Sequence, residues 1–104
     1  MGSVPLPNFA KVMKKVLLLH SVRISDGEAK ALKQFLVSSS KSSNAEFHIE
    51  KVVIADCVIS DKGLSSIIEG IVQHRDHIRS LNCIKCEIGQ QSINGILDLI
   101  PYLD

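Results

Sequence analysis

The sequence predicts an α/β fold built from repeated strand–helix units, and three observations support this prediction. The apolar pattern that begins at Ile49 recurs from Ile78 at a constant offset of 29 residues, without a gap. Within each copy, the spacing of apolar residues changes from two to three or four, which is the change from a strand to a helix. A third and earlier copy lies at an offset of 35 residues. The three units fit one domain in a chain of 104 residues.

The two later copies define the unit. Apolar residues of the first of them are Ile49, Val52, Ile54, Cys57, Ile59, Leu64, Ile67, Ile68 and Ile71. Those of the second are Ile78, Leu81, Cys83, Cys86, Ile88, Ile93, Ile96, Leu97 and Ile100. The first part of both copies therefore reads I-x-x-[VL]-x-[IC]-x-x-C-x-I.

The earliest copy is weaker and longer. Its residues Leu17, Leu19, Val22 and Ile24 align with Val52, Ile54, Cys57 and Ile59, and Leu32 and Leu36 align with Ile67 and Ile71. The six additional residues fall in the serine-rich stretch 38–44, for which we predict a flexible loop. Ahead of this copy, residues 4–10 contain two prolines and predict an extended lead-in or small cap, in which Phe9 and Val12 cover the first open face of the core.

These patterns set the expected elements and boundaries. Strands are predicted near 16–20, 51–55 and 80–84, and helices near 26–37, 61–74 and 90–100. Ser25 with Glu28 fits a capping box, and Ser60-Asp61 offers an N-cap and a negative charge at a helix start. We expect an N-terminal lead-in or cap over 1–13 and a repeat domain over 14–104, with units 14–48, 49–77 and 78–104.

The motif resembles the leucine-rich repeat, with cysteine at its asparagine/cysteine position, and the full helix resembles the ribonuclease-inhibitor-like class. The resemblance implies a curved solenoid with parallel β-strands on the concave face and α-helices on the convex face. Similar solenoids occur in cytoskeletal regulators, ciliary components, GTPase-activating proteins and innate-immune receptors. We therefore expect a non-enzymatic scaffold or adaptor. The alternative is a GTPase-activating or other regulatory protein, for which Arg23, Arg75 and Arg79 are the available arginines.

Composition argues against several other classes. The 12 Lys and Arg residues balance 11 Asp and Glu residues, and aromatic residues make up 4% of the chain, so nucleic-acid binding is not expected. The apolar run Val16–Leu19 is far too short for a membrane span. Three cysteines form no secretory framework, so we expect a reduced, cytoplasmic protein, with cytoskeletal association as one option. No cofactor and no small-molecule substrate are expected.

The pair Cys83 and Cys86 has the spacing of a redox or metal half-site. A structural zinc site needs four ligands, and the chain has no second C-x-x-C pair. The repeat instead places Cys57, Cys83 and Cys86 at core positions, so we predict free thiols, at least two of them buried, and no metal. Cys57 and Cys86 occupy adjacent units, and a disulfide between them is the alternative in an oxidising compartment.

The densest group of ionisable residues is His74-Arg75-Asp76-His77, which joins a helix to a strand. No nucleophile is placed near it by spacing, so we predict a solvated loop rather than a metal or acid–base site, and we assign no catalytic residues. His48 precedes the equivalent strand and is predicted to repeat His77.

Function is expected on the strand residues that point away from the core, because these align across repeats into one surface. The outward rows are Val16, Lys51 and Ser80; Leu18, Val53 and Asn82; and His20, Ala55 and Ile84, flanked by Ser21, Asp56 and Lys85. The predicted partner-binding residues are Leu18, His20, Lys51, Val53, Ala55, Asp56, Asn82, Ile84 and Lys85. The alternative is that β-branched residues are tolerated there, or that another segment covers them.

The last unit has no neighbour beyond it, and its strand has an unpaired edge. We therefore expect either further repeats of the same protein or another chain docked at this end.

Overall fold

The computed structural model describes residues 5–43 and 48–103. It is an α/β fold with a mixed four-stranded sheet and three helices. The strands are β1 (Lys11–Met13), β2 (Val16–His20), β3 (Arg23–Ile24), β4 (Lys51–Ala55), β5 (Val58–Ile59) and β6 (Ser80–Ile84). The helices are α1 (Asp26–Ser40), α2 (Asp61–Val72) and α3 (Gln90–Leu99), followed by a 3₁₀ turn at Ile100–Tyr102.

The sheet has the order β1-β2-β4-β6, with β1 antiparallel to β2 and the other pairs parallel. The three predicted rows are confirmed, because each β4 residue pairs with one residue of β2 and one of β6. Lys51 pairs with Val16 and Ser80, Val53 with Leu18 and Asn82, and Ala55 with His20 and Ile84. A second, two-stranded parallel sheet joins β3 to β5. Equivalent residues of consecutive units therefore lie side by side.

The predicted strand bounds are confirmed, and the helices begin where predicted, but α1 is longer than expected. It continues through Ser40, so Ser38–Ser40 is helical and the prediction of a loop is wrong there. The serine hydroxyls explain the extension. Ser39 Oγ donates to Leu36 O (3.1 Å) and Ser40 Oγ donates to Val37 O (2.7 Å), which satisfies carbonyls near the helix end. Asn44, the last residue of the predicted loop, lies outside the described residues.

The helix starts connect one unit to the next. The capping box of Ser25 with Glu28 is confirmed, as is the N-cap at Ser60. The N-cap residue of α3 is Gly89, which has no side chain to cap the helix. The Asp61 carboxylate supplies the cap from the preceding unit by accepting the N–H groups of Gly89, Gln91 and Ser92 at 3.0–3.1 Å. Hydrogen bonding to Ser92 is the main reason that the pKa of Asp61 is lowered.

The core lies between the sheet and the helices. Its strand residues are Leu17, Leu19, Val52 and Ile54, and its helix residues include Leu32, Leu36, Leu64, Ile67, Ile68 and Ile71, all fully buried. Glycines let the helices approach closely. A Cβ added at Gly70 would lie 2.9 Å from Leu36 Cβ, and one added at Gly95 would lie 2.7 Å from Ile68 Cγ2. Both helix contacts therefore require the absence of a side chain.

The N-terminal segment packs onto the first unit. Leu6, Phe9 and Val12 are partly buried against the core, and Ala10 is buried. Strand β1 pairs with β2 along the edge that would otherwise be open. Phe9 and Val12 thus contact the first layer of the core, as the sequence predicts.

The prediction of a solvated loop is wrong for His74, whereas Arg75, Asp76 and His77 are exposed turn residues, as predicted. The His74 side chain is fully buried, and its Nδ1 accepts the N–H of Ile49 at 3.1 Å. The other nitrogen, Nε2, therefore carries the proton and lies 2.9 Å from Leu36 O and 3.1 Å from Ser39 Oγ. The ring joins the end of α1, the turn after α2 and the start of β4. Polar partners at both nitrogens make this burial possible.

The neighbouring histidines behave as repeats of one another. The rings of His48 and His77 stack with centroids 4.1 Å apart and planes 10° apart. This contact agrees with the prediction that His48 is the counterpart of His77, one unit earlier.

Substitution by aspartate should affect stability differently on the two faces of β4. Ile54 is fully buried, whereas Val53 is half-buried on the other face. We expect Ile54→Asp to unfold the domain, because an unpaired buried charge costs several kcal/mol against a total stability of about 5–15 kcal/mol. Val53→Asp should stay folded. Circular dichroism during urea titration checks this, and equal destabilisation of the two variants would contradict the register.

His74 predicts a stability that depends on pH. Burial lowers the pKa of His74, and the neighbouring His48 and His77 lower it further. As the pH falls, His74 therefore takes up a proton in the unfolded state before it does so in the folded state. Its contribution to stability is fully present above a pH of about 6.5 and declines as the pH falls below that value. His74→Ala should cost about 2–4 kcal/mol at pH 8 through the lost bonds and the cavity.

The non-titrating variant His74→Gln provides the control. Its urea midpoint should be lower than that of the wild type at pH 8 but should change less between pH 7 and pH 5. If the urea midpoint changed equally in the two proteins between pH 7 and pH 5, His74 would not be the source of the pH dependence.

Candidate functional site

The candidate site is the side of the sheet that carries no helices, which we call the strand face. It consists of Val16, Leu18, His20, Lys51, Val53, Ala55, Ser80, Asn82 and Ile84. Successive strand residues point to opposite sides of a sheet. The intervening residues Leu17, Leu19, Val52 and Ile54 are buried under the helices, so the strand face points the other way. The structure thus brings the predicted rows together on one surface.

Exposure varies across the strand face. His20, Lys51 and Asn82 are exposed, as is Ile84 at 52%, while Leu18 and Val53 are half-buried. These apolar side chains lie between polar ones on a surface without covering elements in the described residues.

Ala55 departs from its predicted role. It is only 9% exposed and belongs to the buried residues. Its strand is central, with His20 paired on one side and Ile84 on the other. A methyl group between two larger side chains offers little surface, so Ala55 shapes the face but contributes little contact area.

The predicted flanking residues form a regular row where the strands end. Ser21, Asp56 and Lys85 share a left-handed backbone conformation, with φ of 53°, 53° and 54°. Main-chain bonds hold the first two, because Ser21 N–H donates to Ala55 O and Asp56 N–H donates to Ile84 O, each at 2.9 Å. The exposed Asp56 is therefore held at one end of the strands, and the exposed Lys85 follows its strand in the same backbone conformation. The backbone conformation fixes the direction in which each side chain leaves the turn.

A pocket of about 370 Å³ adjoins the strand face on its N-terminal side. It is lined by Asn8, Phe9, Lys11, Leu18, His20 and Val22. Its walls combine apolar side chains with an amide, an ammonium group and an imidazole. This chemistry suits a partner side chain that is apolar along its length and polar or acidic at its tip.

Sequence reasoning identified two of these six pocket residues, Leu18 and His20, and missed Asn8, Phe9, Lys11 and Val22 as site residues. The three from the N-terminal segment reach the face because β1 pairs antiparallel with β2. The strand β1 is only three residues long and shows no repeat, so periodicity gives no signal for it. The turn residues Lys14 and Lys15, with φ of 52° and 67°, lack the glycine that usually marks such hairpins.

The cysteines are free, as predicted, but only Cys57 is buried. The prediction of at least two buried thiols is wrong, since Cys83 and Cys86 are partly exposed. Both belong to the last unit, which lacks a neighbour on its outer side. The Cys57 thiol donates to Leu19 O (3.4 Å) and the Cys86 thiol to Ile54 O (3.6 Å), so each links its unit to the preceding one.

Burial makes the thiols of Cys57 and Cys83 less acidic. It raises the pKa of Cys57, and it raises the pKa of Cys83 to about 11. The nearby thiol of Cys86 adds to both effects. Across the described ranges, no three His, Cys, Asp or Glu side chains are placed to hold one metal ion.

The arginines considered for a GTPase-activating role lie at two different ends of the strands. Arg23 follows the carboxyl end of β2, whereas Arg75 and Arg79 precede the amino end of β6. Because β2 and β6 run in the same direction, Arg23 lies at one end of the parallel strands, and Arg75 and Arg79 lie at the other end.

No protein-family model matches the chain, and neither the curated proteins nor the solved structures give a significant match. In the part of the chain that the structure describes, no helix combines the length and the apolar content needed to cross a bilayer.

Thiol reactivity tests the environments of the three cysteines. Cys86 should react first with a maleimide at pH 7.5, because it is partly exposed. Cys83 should react more slowly, since a pKa of about 11 leaves little thiolate, and Cys57 should be slowest because it is buried. Mass spectrometry of peptides from a labelling time course measures the order, with labelling in urea as the control. Equal rapid labelling of all three would contradict it.

Proposed function

We propose that this chain is a leucine-rich-repeat module that binds a protein partner through its strand face. The support for the repeat class is the sequence motif together with the matching geometry of the units. Each unit passes from a strand through a left-handed residue and a short extended segment to a helix that packs on the opposite side of the sheet. A scaffold or adaptor in the cytoplasm is the role that we assign to it.

One observation carries the proposal: the parallel register places three apolar side chains on the side of the sheet without helices, with Leu18 and Val53 paired in one row and Ile84 in the next row. Ordinary soluble domains expose single apolar residues, but a contiguous group surrounded by polar side chains is typical of an interaction site. Here the surrounding groups include His20 and Lys51, both exposed.

The layout agrees with the anatomy of protein interfaces. Binding energy concentrates in a few central apolar contacts, while a polar rim sets orientation and specificity. Leu18 and Val53 are adjacent in one row and would form the centre. Asp56 and Lys85 lie at the rim with opposite charges, so a partner must present complementary charges in a fixed order.

The pocket beside His20 supplies the anchor point. A partner side chain inserted there would contact Phe9 and Leu18, and its polar end would meet Lys11 or His20. We expect an acidic or hydroxyl-bearing group at that end, because an ammonium group and an imidazole can both donate to it. The strand face would then bind the remainder of the partner surface.

Paired substitutions test the proposal. The wild-type domain, immobilised, is used to capture partners from cell lysate, and the captured protein is identified and purified. We expect Val53→Asp to weaken its binding at least about tenfold, since a charge replaces the central apolar contact. His20→Ala should weaken it about threefold to tenfold through the pocket.

Val58→Asp is the matched control, because Val58 is 59% exposed and lies in β5, outside the strand face. It introduces the same charge and should leave the affinity unchanged. Circular dichroism establishes that all three variants are folded. A partner bound equally by Val53→Asp and by the wild type, or lost equally in Val58→Asp, would exclude the strand face as its site.

A further inference from the structure

The last unit exposes residues that its predecessor buries. Six of the eight large hydrophobic residues exposed in the described part of the chain are Ile84, Ile88, Ile93, Leu97, Ile100 and Tyr102. Leu97 is 56% exposed, whereas its counterpart Ile68 in the middle unit is fully buried. Ile100 is 53% exposed, and its counterpart Ile71 is fully buried. The exposure therefore marks the open end of the stack. Ile84 belongs to the strand face, and we call the other five residues the end face.

The edge strand beside the end face also has unpaired main-chain groups directed outward. Ser80 N–H donates to Glu50 O, and Ile84 O accepts the Asp56 N–H, so these residues bond toward β4. In a strand, alternate residues bond to opposite sides, which leaves the groups of Leu81 and Cys83 on the open side.

The two edge strands of the four-stranded sheet differ in how well they are protected against pairing with another chain. Edge strands usually carry lysine, proline or a bulge that discourages pairing with another chain. The N-terminal edge begins with Lys11, and Lys14 and Lys15 follow it. The β6 edge is Ser-Leu-Asn-Cys-Ile and contains no charge and no proline. Of these two edges, β6 is therefore the one that lacks such protection.

We propose that two copies of this chain form a two-fold symmetric dimer by antiparallel pairing of β6 with β6. Centred on Asn82, this pairing sets Leu81 of each copy opposite Cys83 of the other. Each of these pairs exchanges two hydrogen bonds, about four in all. The two-fold axis passes through the sheet, so both helix layers lie on the same side and α3 meets α3. Ile93, Leu97 and Ile100 are then covered by the same residues of the second copy.

An aspartate at the start of one helix bonds to the start of the next helix, and the third unit lacks this aspartate. Its absence favours a second copy at the end face over another unit stacked in parallel. Asp26 accepts the hydroxyl of Ser60, and Asp61 caps α3. The equivalent residue of the third unit is Gln90, and its amide donates to Asn94 within α3 itself. The third unit therefore has no carboxylate at the position that Asp26 and Asp61 occupy in the first two units.

The arrangement closes at two copies. Head-to-tail stacking would bring β6 against the lysine-bearing β1 edge and would propagate into filaments. Symmetric pairing uses the unprotected edge of each copy and leaves both lysine edges outside. The inference concerns the end of the sheet and does not depend on partner binding by the strand face.

Molar mass by light scattering, measured from micromolar to millimolar concentration, tests the dimer. We expect the mass to rise to twice 11.4 kDa and no further. Leu97→Lys should raise the dissociation constant at least about tenfold by placing a charge in the interface. Val58→Lys, at a residue of similar exposure outside the end face, should leave it unchanged. Circular dichroism checks that both variants remain folded.

A cross-link tests the pairing itself and does not depend on weakening the fold. Asn82→Cys places two thiols opposite each other at the two-fold axis, so mild oxidation should give a covalent dimer, unlike Lys51→Cys on β4. A wild-type mass that stays at 11.4 kDa throughout would overturn the proposal. So would equal weakening by Leu97→Lys and Val58→Lys, growth beyond two copies, or equal cross-linking of the two cysteine variants.

Discussion

Main-chain bonds at both ends of the strands keep β2, β4 and β6 in one register. At the amino ends, Lys15 O accepts the Glu50 N–H at 2.9 Å, and Glu50 O accepts the Arg79 N–H at 2.7 Å. At the carboxyl ends, the left-handed residues bond to the next strand in the same way. A slip of one residue would turn the core residues of the slipped strand, such as Val52 and Ile54 of β4, toward solvent. The core, the strand face and the links between helices all depend on this register.

The three five-residue strands and the helix starts could be predicted because the apolar spacing within each unit marks them. Alternation and the 29-residue offset determine the strands, and capping residues mark the beginnings of the helices. His74 could not be placed in this way. A histidine in a polar tetrapeptide reads as solvated, and its burial depends on Ile49, Leu36 and Ser39, which are distant in the chain. The same contact helps to explain why a serine-rich stretch with low helix propensity extends α1.

The position of the candidate site could be predicted, but the exposure of its residues and the pocket beside it could not. The rows of the strand face follow from the register, yet the burial of Ala55 depends on the size of its two neighbours. The pocket beside His20 requires the β1 hairpin, whose three residues carry no periodicity. Likewise, the exposure of Cys83 and Cys86 depends on what lies beyond the last unit rather than on their repeat position. Sequence patterns describe a unit, whereas these features belong to its surroundings.

The glycines at the helix contacts have a consequence for the shape of the strand face. Neighbouring strands lie about 4.8 Å apart, whereas packed helices usually lie about 8–10 Å apart, and this difference bends a strand–helix stack. Gly70 and Gly95 remove the side chains that would separate consecutive helices. The closer helix spacing reduces the bend, and the strand side becomes flatter. A shallow surface of this kind suits the broad side of a folded partner better than a narrow peptide.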